Sequence, residues 1–229
     1  MEKEVLDLKK YNKIPKFIAV EGPIGVGKTT LASLLAKSLE YETFLEKPSE
    51  NPFLKEFYRN PSQAALATQL FFLFQRVNQI KELKQGDIFS PVRVSDFLLD
   101  KDKLFAKVTL TKHELSLYEQ IYDYLSIDLP SPDVVVYLQA ETKTLYERVM
   151  QRGIEMERNI SFDYLESLNE SYKEFFLSFN RSPVLIVNSE FLDLVHNKDH
   201  YSVLLEKLLE YFNNPEGRMM YFSPSPSLA

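Results

Sequence analysis

The chain has 229 residues, with 27 Lys or Arg against 33 Asp or Glu, a formal charge of −6 and no cysteine. Its length suits one domain, or one domain with a small helical insert. The acidic balance gives no electrostatic support for nucleic-acid binding, and the absence of thiols excludes disulfides, thiolate zinc sites and cysteine nucleophiles.

Residues 1–15 read as a polar lead-in ending at Pro15. It lacks the apolar core of a signal peptide, and no apolar run is long enough to span a bilayer, so a soluble cytoplasmic protein is expected. The apolar run FIAV at 17–20 is a short buried strand. It leads directly into GPIGVGKTT at 22–30, which fits the phosphate-loop pattern of glycines, lysine and threonine. Gly22, Gly25 and Gly27 let the backbone turn its N–H groups onto one anion, with Val26 and Thr30 completing the cradle. Lys28 adds a positive charge for the terminal phosphates, and the Thr29 hydroxyl suits Mg²⁺. Leu31, Leu34, Leu35 and Leu39 follow at helical spacing, so a helix N-terminus also faces the anion. ATP and Mg²⁺ are the cofactors that this pattern implies.

The second apolar run, YETFLE at 41–46, ends on Glu46. In a parallel sheet, ligands gather at the carboxyl ends of strands, so Glu46 is expected to share a cleft with Lys28 and to accept a proton from an attacking hydroxyl. A surface carboxylate before a turn is the plain alternative. Residues 61–85 then read as one long helix starting at Pro61 and apolar almost all round. Gln69 and Arg76 lie two turns apart on one stripe, with Phe72 between them. That stripe is either the floor of a nucleobase pocket or a packing face whose polar groups pair elsewhere. Arg76, if buried, needs a carboxylate, and Asp100 is the candidate. The helix is also a candidate homodimer surface.

A third run, PVRVS at 91–95, precedes Asp96, which is placed either to join the Mg²⁺ shell or to cap a following helix. DVVVYLQ at 133–139 and PVLIVN at 183–188 are the fourth and fifth runs. Strands alternating with helices predict an α/β fold with a five-stranded parallel sheet flanked by helices. After the fourth run, Arg148 and Arg152 share a helix face next to Gly153, a helix end or hinge. They suit a lid over 148–160 that closes on a triphosphate, or else a solvated basic face paired with Glu147, Glu155 and Glu157. His196 and His200 stand four apart with no third ligand apparent. The Pro/Ser-rich end, 214–229, reads as disordered, leaving 16–213 as the folded domain.

Taken together, FIAVEGPIGVGKTTLA, the LEKP turn, FYRNPSQAALATQLFFLFQR and YLQAETKTLYERVMQRG resemble the deoxynucleoside kinase family of P-loop kinases. The resemblance implies that ATP phosphorylates the 5′-hydroxyl of a deoxynucleoside in nucleotide salvage. It also implies a homodimer, Glu46 as base, Tyr58 and Glu157 on the sugar 3′-hydroxyl, Gln69 and Arg76 on the base, and Arg152 in the lid. Two departures stand out. Ser95-Asp96-Phe97 replaces the family's Glu-Arg-Ser, so an arginine is missing after the third strand, and Arg93 or Lys101 are the available substitutes. Ile154 occupies the position of a second lid arginine, for which Arg158 is a stand-in. Some purine-preferring bacterial members carry a similar Ser-Asp-Phe run. The weak expectation is therefore deoxyadenosine or deoxyguanosine, with deoxycytidine as the alternative. The rival readings are a thymidylate-type monophosphate kinase and a nucleotide-binding scaffold without catalysis. The first is disfavoured by Leu45, where thymidylate kinases carry an arginine.

Overall fold

The computed structural model describes residues 8–85, 92–98, 100–125, 131–195, 197–215 and 217–224. Its frame is a parallel sheet in the order β2-β3-β1-β4-β5-β6. The strands are β1 (Phe17–Glu21), β2 (Glu42–Phe44), β3 (Arg93–Ser95), β4 (Val134–Gln139), β5 (Val184–Asn188) and β6 (Met219–Phe222). The helices are α1 (Lys28–Leu39), α2 (Leu54–Arg59), α3 (Pro61–Gln85), α4 (Lys101–Thr109), α5 (Lys112–Leu125), α6 (Thr142–Arg152), α7 (Phe162–Ser178) and α8 (Lys198–Asn213).

The central strands are continuous apolar runs because helices cover both of their faces. Side chains alternate across the sheet. Ile18 and Val20 point into a core shared with Leu31 and Leu35 of α1 and Leu204 and Leu208 of α8. Ala19, Val135 and Tyr137 point the other way, onto Leu104 of α4 and Tyr172 and Phe176 of α7. The lead-in contributes to the first core, since Leu8, Tyr11 and Ile14 pack against it.

Two expectations are corrected. The sheet has six strands, not five. The extra one lies in the segment expected to be disordered, where Met219–Phe222 pairs in parallel with β5. This apolar tetrapeptide is too short to stand out beside Pro/Ser-rich neighbours, yet it covers an edge that β5 would otherwise expose. Residues 225–229 lie outside the described part. The long helix α3 has the bounds expected of it, and it leaves Phe74 47% exposed. It packs on α2, α4 and α5, with Leu73 and Val77 buried against Ala106 and Tyr118.

On the α7 side, Phe176 is 1% exposed and stacks on Tyr137 with ring centroids 4.0 Å apart. Phe176→Ala should cost about 3–5 kcal/mol of stability, as large-to-small core changes do. Lys143→Ala, at a side chain 82% exposed, should change stability by less than about 0.5 kcal/mol. Urea denaturation of both variants checks the contrast.

Candidate active site

The loops that bear Lys28, Glu46 and Asp96 leave the carboxyl ends of β1, β2 and β3, which is where a parallel α/β sheet binds ligands. The phosphate loop joins β1 to α1. Gly22, Gly25 and Gly27 have φ of 149°, 86° and 103°, conformations that side chains rarely adopt. A Cβ on Gly22 would lie 2.5 Å from the Leu138 carbonyl oxygen, and one on Gly25 would lie 2.8 Å from that of Leu145. The loop is thus pressed against β4 and α6. Val26 is buried in the core and its amide bonds the Pro23 carbonyl, so it shapes the loop by packing. Thr30 is exposed in the first turn of α1.

Lys28 Nζ donates to the carbonyl oxygens of Gly22 and Pro23 at 2.8 and 3.0 Å. Its pKa is lowered to about 8, first by burial and then by the charge of Lys101. The Thr29 hydroxyl donates to Asp96 Oδ2 at 2.6 Å, while Asp96 Oδ1 accepts the Glu46 amide at 2.8 Å. Asp96 therefore ties the ends of β2 and β3 to the phosphate loop. It does not cap a helix, because α4 starts only at Lys101. Thr29 and Asp96 form an oxygen-only donor pair that fits a hard cation such as Mg²⁺, with triphosphate oxygens and water as the remaining ligands. Among the described residues no group of three or more His, Cys, Asp or Glu side chains fits a metal. His200 Nδ1 accepts the Asp193 amide, and His196 lies outside the described residues.

Glu46 sits beyond the end of β2 and is gripped on both oxygens. Arg76 pairs with Oε1, and Lys101 Nζ donates to Oε2 at 2.9 Å. Burial works to raise its pKa, but the charges of Arg76 and Lys101 outweigh it and hold the value at about 2. Arg76 is buried in α3 and also pairs with Asp102. Its guanidinium lies 5.3 Å from the Phe72 ring centroid and 5.7 Å from that of Phe97, within cation–π reach. The expected partner Asp100 is a correction. It binds Arg181 at 2.9 Å instead, because at the N-terminus of α4 Lys101 and Asp102 turn inward while Asp100 faces out. Gln69 is 3% exposed on the same side of α3.

The lid residues come from α6 and the turn after it. Gly153 ends α6 with φ 65°, a left-handed helix stop. Arg152 forks onto Glu157 through two bonds of 2.7 Å. Arg148 instead reaches the end of β5, donating to the Ser189 carbonyl at 2.8 Å. Tyr58 lies within electrostatic reach of Glu157, Arg152 and Glu46, and burial pushes its pKa well up. Arg158 is exposed. Of the two substitutes for the missing arginine, Arg93 opens β3 opposite Phe17 and Glu42, at the far end of the strands. Lys101 is at the site.

Sequence reasoning missed three residues. Glu21 is fully buried at the end of β1 and accepts from the Gly22 amide (2.9 Å), the Leu98 amide (2.7 Å) and the Tyr172 hydroxyl (3.0 Å). An acidic residue ending an apolar strand was the available signal. Asp102 and Tyr172 were hidden in a charged run and an apolar helix.

A strand, phosphate loop and helix facing a largely enclosed carboxylate across an oxygen-donor pair define a P-loop phosphotransferase. The sequence signature of the family described as "Deoxynucleoside kinase" matches residues 18–213. A deoxyguanosine kinase from Bacillus subtilis is 36% identical over 194 residues, covering 81% of this chain and 92% of its own. A deoxyadenosine/deoxycytidine kinase from the same organism is 31% identical, covering 87% and 95%. The structure of a deoxyadenosine kinase from M. mycoides with bound dCTP superimposes with a TM-score of 0.74 at 29% identity, covering 85% of this chain and 99% of that one. The chain belongs to the deoxynucleoside kinase family. It is an ATP-dependent kinase that phosphorylates the 5′-hydroxyl of a deoxynucleoside.

The loop geometry ranks two glycine variants. A side chain at Gly25 meets both an unfavourable φ and the Leu145 carbonyl, whereas Gly27 meets only the φ, with nothing within 4 Å of a built Cβ. Backbone strain of this kind costs about 1–3 kcal/mol. Thermal melts without nucleotide should place Gly25→Ala below Gly27→Ala, and calorimetry should show weaker ATP binding by both.

Proposed function

We propose that the acceptor is a purine deoxynucleoside, deoxyadenosine or deoxyguanosine, and that transfer uses Mg²⁺ held by Thr29 and Asp96. The observation that carries this reading is the grouping of Gln69, Phe72 and Arg76 on one side of α3 next to Glu46. The Gln69 amide offers a donor and an acceptor in one plane, and the Arg76 guanidinium offers donors to acceptor atoms such as purine N7 or O6. Relatives named for deoxyguanosine and deoxyadenosine support the purine choice.

In this reading the loop amides and Lys28 hold the donor triphosphate, and Lys28 exchanges its bonds to the loop carbonyls for phosphate oxygens. When bound, Mg²⁺ neutralises charge on the β- and γ-phosphate oxygens. Tyr58 and Glu157 take the sugar 3′-hydroxyl, which frees Arg152 from Glu157 to face the transferring group. Glu46 accepts a hydrogen bond from the 5′-hydroxyl. A carboxylate with a pKa near 2 is a weak base towards an alcohol. It takes the proton late, once the oxygen bonds phosphorus and becomes more acidic, as a loose phosphoryl transition state allows.

In this reading Arg148, which donates to the Ser189 carbonyl at the end of β5, belongs to the donor side of the site. A homodimer is proposed from the family resemblance; α3 packs on α2, α4 and α5 and leaves Phe74 exposed for such an interface. Among the described residues no helix is long and apolar enough to cross a membrane, and a cytoplasmic location is proposed.

Values of kcat/KM for deoxyadenosine, deoxyguanosine, deoxycytidine and thymidine with ATP and Mg²⁺ test the acceptor. At least one purine should exceed both pyrimidines by about tenfold, the effect of roughly 1.4 kcal/mol of differential binding. A preference for deoxycytidine or thymidine over both purines would overturn the purine reading. Turnover of a nucleoside monophosphate in their place would point to the thymidylate-type reaction.

A further inference from the structure

We propose that Lys101 is the positioning residue for Glu46, fixing its carboxylate against the reacting centre through a charged hydrogen bond to Oε2. The proposal rests on Glu46 being the base.

Lys101 is the first residue of α4, and its side chain is 2% exposed. Lysine is almost never buried to this degree unless it is paired, and a buried ion pair is weak evidence of stabilisation, because desolvation consumes most of its attraction. Two partners compete to explain the burial. Glu21 Oε2 lies 3.9 Å from Nζ, beyond hydrogen-bond distance, and its carboxylate already accepts from Gly22, Leu98 and Tyr172. Glu46 Oε2 lies at 2.9 Å, so the direct bond goes to Glu46.

The second cation on Glu46 cannot do this alone. Arg76 divides its charge between Glu46 and Asp102, and it borders the acceptor wall beside Phe72. A base that draws on Arg76 weakens its hold on Oε1. The Lys101 ammonium lies 5.8 and 5.9 Å from the Phe97 and Phe105 ring centroids, and both of its acidic neighbours are carboxylates of the site, Glu46 and Glu21. Its direct bond is to Glu46 alone, whereas Arg76 also pairs with Asp102. Its charge also reaches Lys28, whose pKa it helps to lower after burial. The motif after β3 lacks an arginine, Arg93 is at the opposite end of the strand, and Lys101 is the cation that the fold delivers instead.

The test uses Lys101→Gln, Lys101→Arg and Glu46→Gln in the full chain, with nucleoside KM, kcat and thermal melts for each. A misplacement of about 1 Å at a reacting group costs about 10²-fold. Lys101→Gln should lose about that much kcat, with nucleoside KM changed by less than about threefold. Lys101→Arg, which keeps the charge, should recover at least half of the loss on a logarithmic scale. In a Glu46→Gln background, Lys101→Gln should slow the enzyme no further, because its effect passes through the carboxylate. An unchanged kcat in Lys101→Gln overturns the proposal, as does an equal loss in both backgrounds. If Glu46→Gln alone leaves kcat unchanged, the base assignment fails instead. Should Lys101→Gln melt below the assay temperature, the same cycle is run with Lys101→Arg. Its displaced charge should slow transfer only where Glu46 is present, and a loss in both backgrounds overturns the proposal.

Discussion

The grip of two buried cations on Glu46 is the interaction around which the rest of the site is arranged. Burial alone would push this carboxylate towards its neutral form, and Arg76 and Lys101 reverse that. Neither cation acts alone. Glu21, Glu46, Asp96 and Asp102 interleave with Lys28, Arg76 and Lys101, so each charge taken out of water finds an opposite one nearby. Removing one partner from such a group leaves an uncompensated buried charge, which is far costlier than the pair is stabilising.

These side chains come from β1, the turn after β2, the end of β3, and helices α1, α3 and α4. Only a parallel sheet brings so many loops to one edge, because every strand ends on the same side. Asp96 shows how closely the ends are tied, bonding Thr29 of the phosphate loop and the Glu46 amide at once. Glu21 does the same on the other side, linking the loop at Gly22, the segment before α4 at Leu98 and α7 through Tyr172. The sheet face packed on α7 therefore supports the geometry of the loop as well as stability.

What the sequence made legible was whatever depends on local spacing. The glycine, lysine and threonine spacing marked the phosphate loop, the apolar runs marked five strands, and Pro61 marked the start of α3. Features decided by tertiary packing were not legible. In Asp-Lys-Asp-Lys at 100–103 no apolar period shows which side chains turn in. The onset of α4 decides it, burying Lys101 and Asp102 and sending Asp100 and Lys103 out to Arg181 and Asp123. That is why Asp100 was the expected partner of Arg76 and Asp102 is the actual one. Likewise Lys101 and Arg93 read alike as cations near the third strand, but β3 places them at its opposite ends. The β6 strand depends on an edge of β5 that only the assembled sheet presents.

The measurement that bears most directly on this account is the single-turnover rate of phosphoryl transfer by Glu46→Gln, with ATP, Mg²⁺ and saturating deoxyadenosine or deoxyguanosine. The substitution keeps the shape and one oxygen to accept from the 5′-hydroxyl, while it removes proton acceptance and turns an N–H₂ towards one of the two cations. The account predicts transfer slowed by about 10²–10⁴-fold, the usual contribution of a general base, with nucleoside binding retained. A rate equal to that of the unmodified enzyme would contradict it and would move the role to Asp96, the next carboxylate at the carboxyl edge.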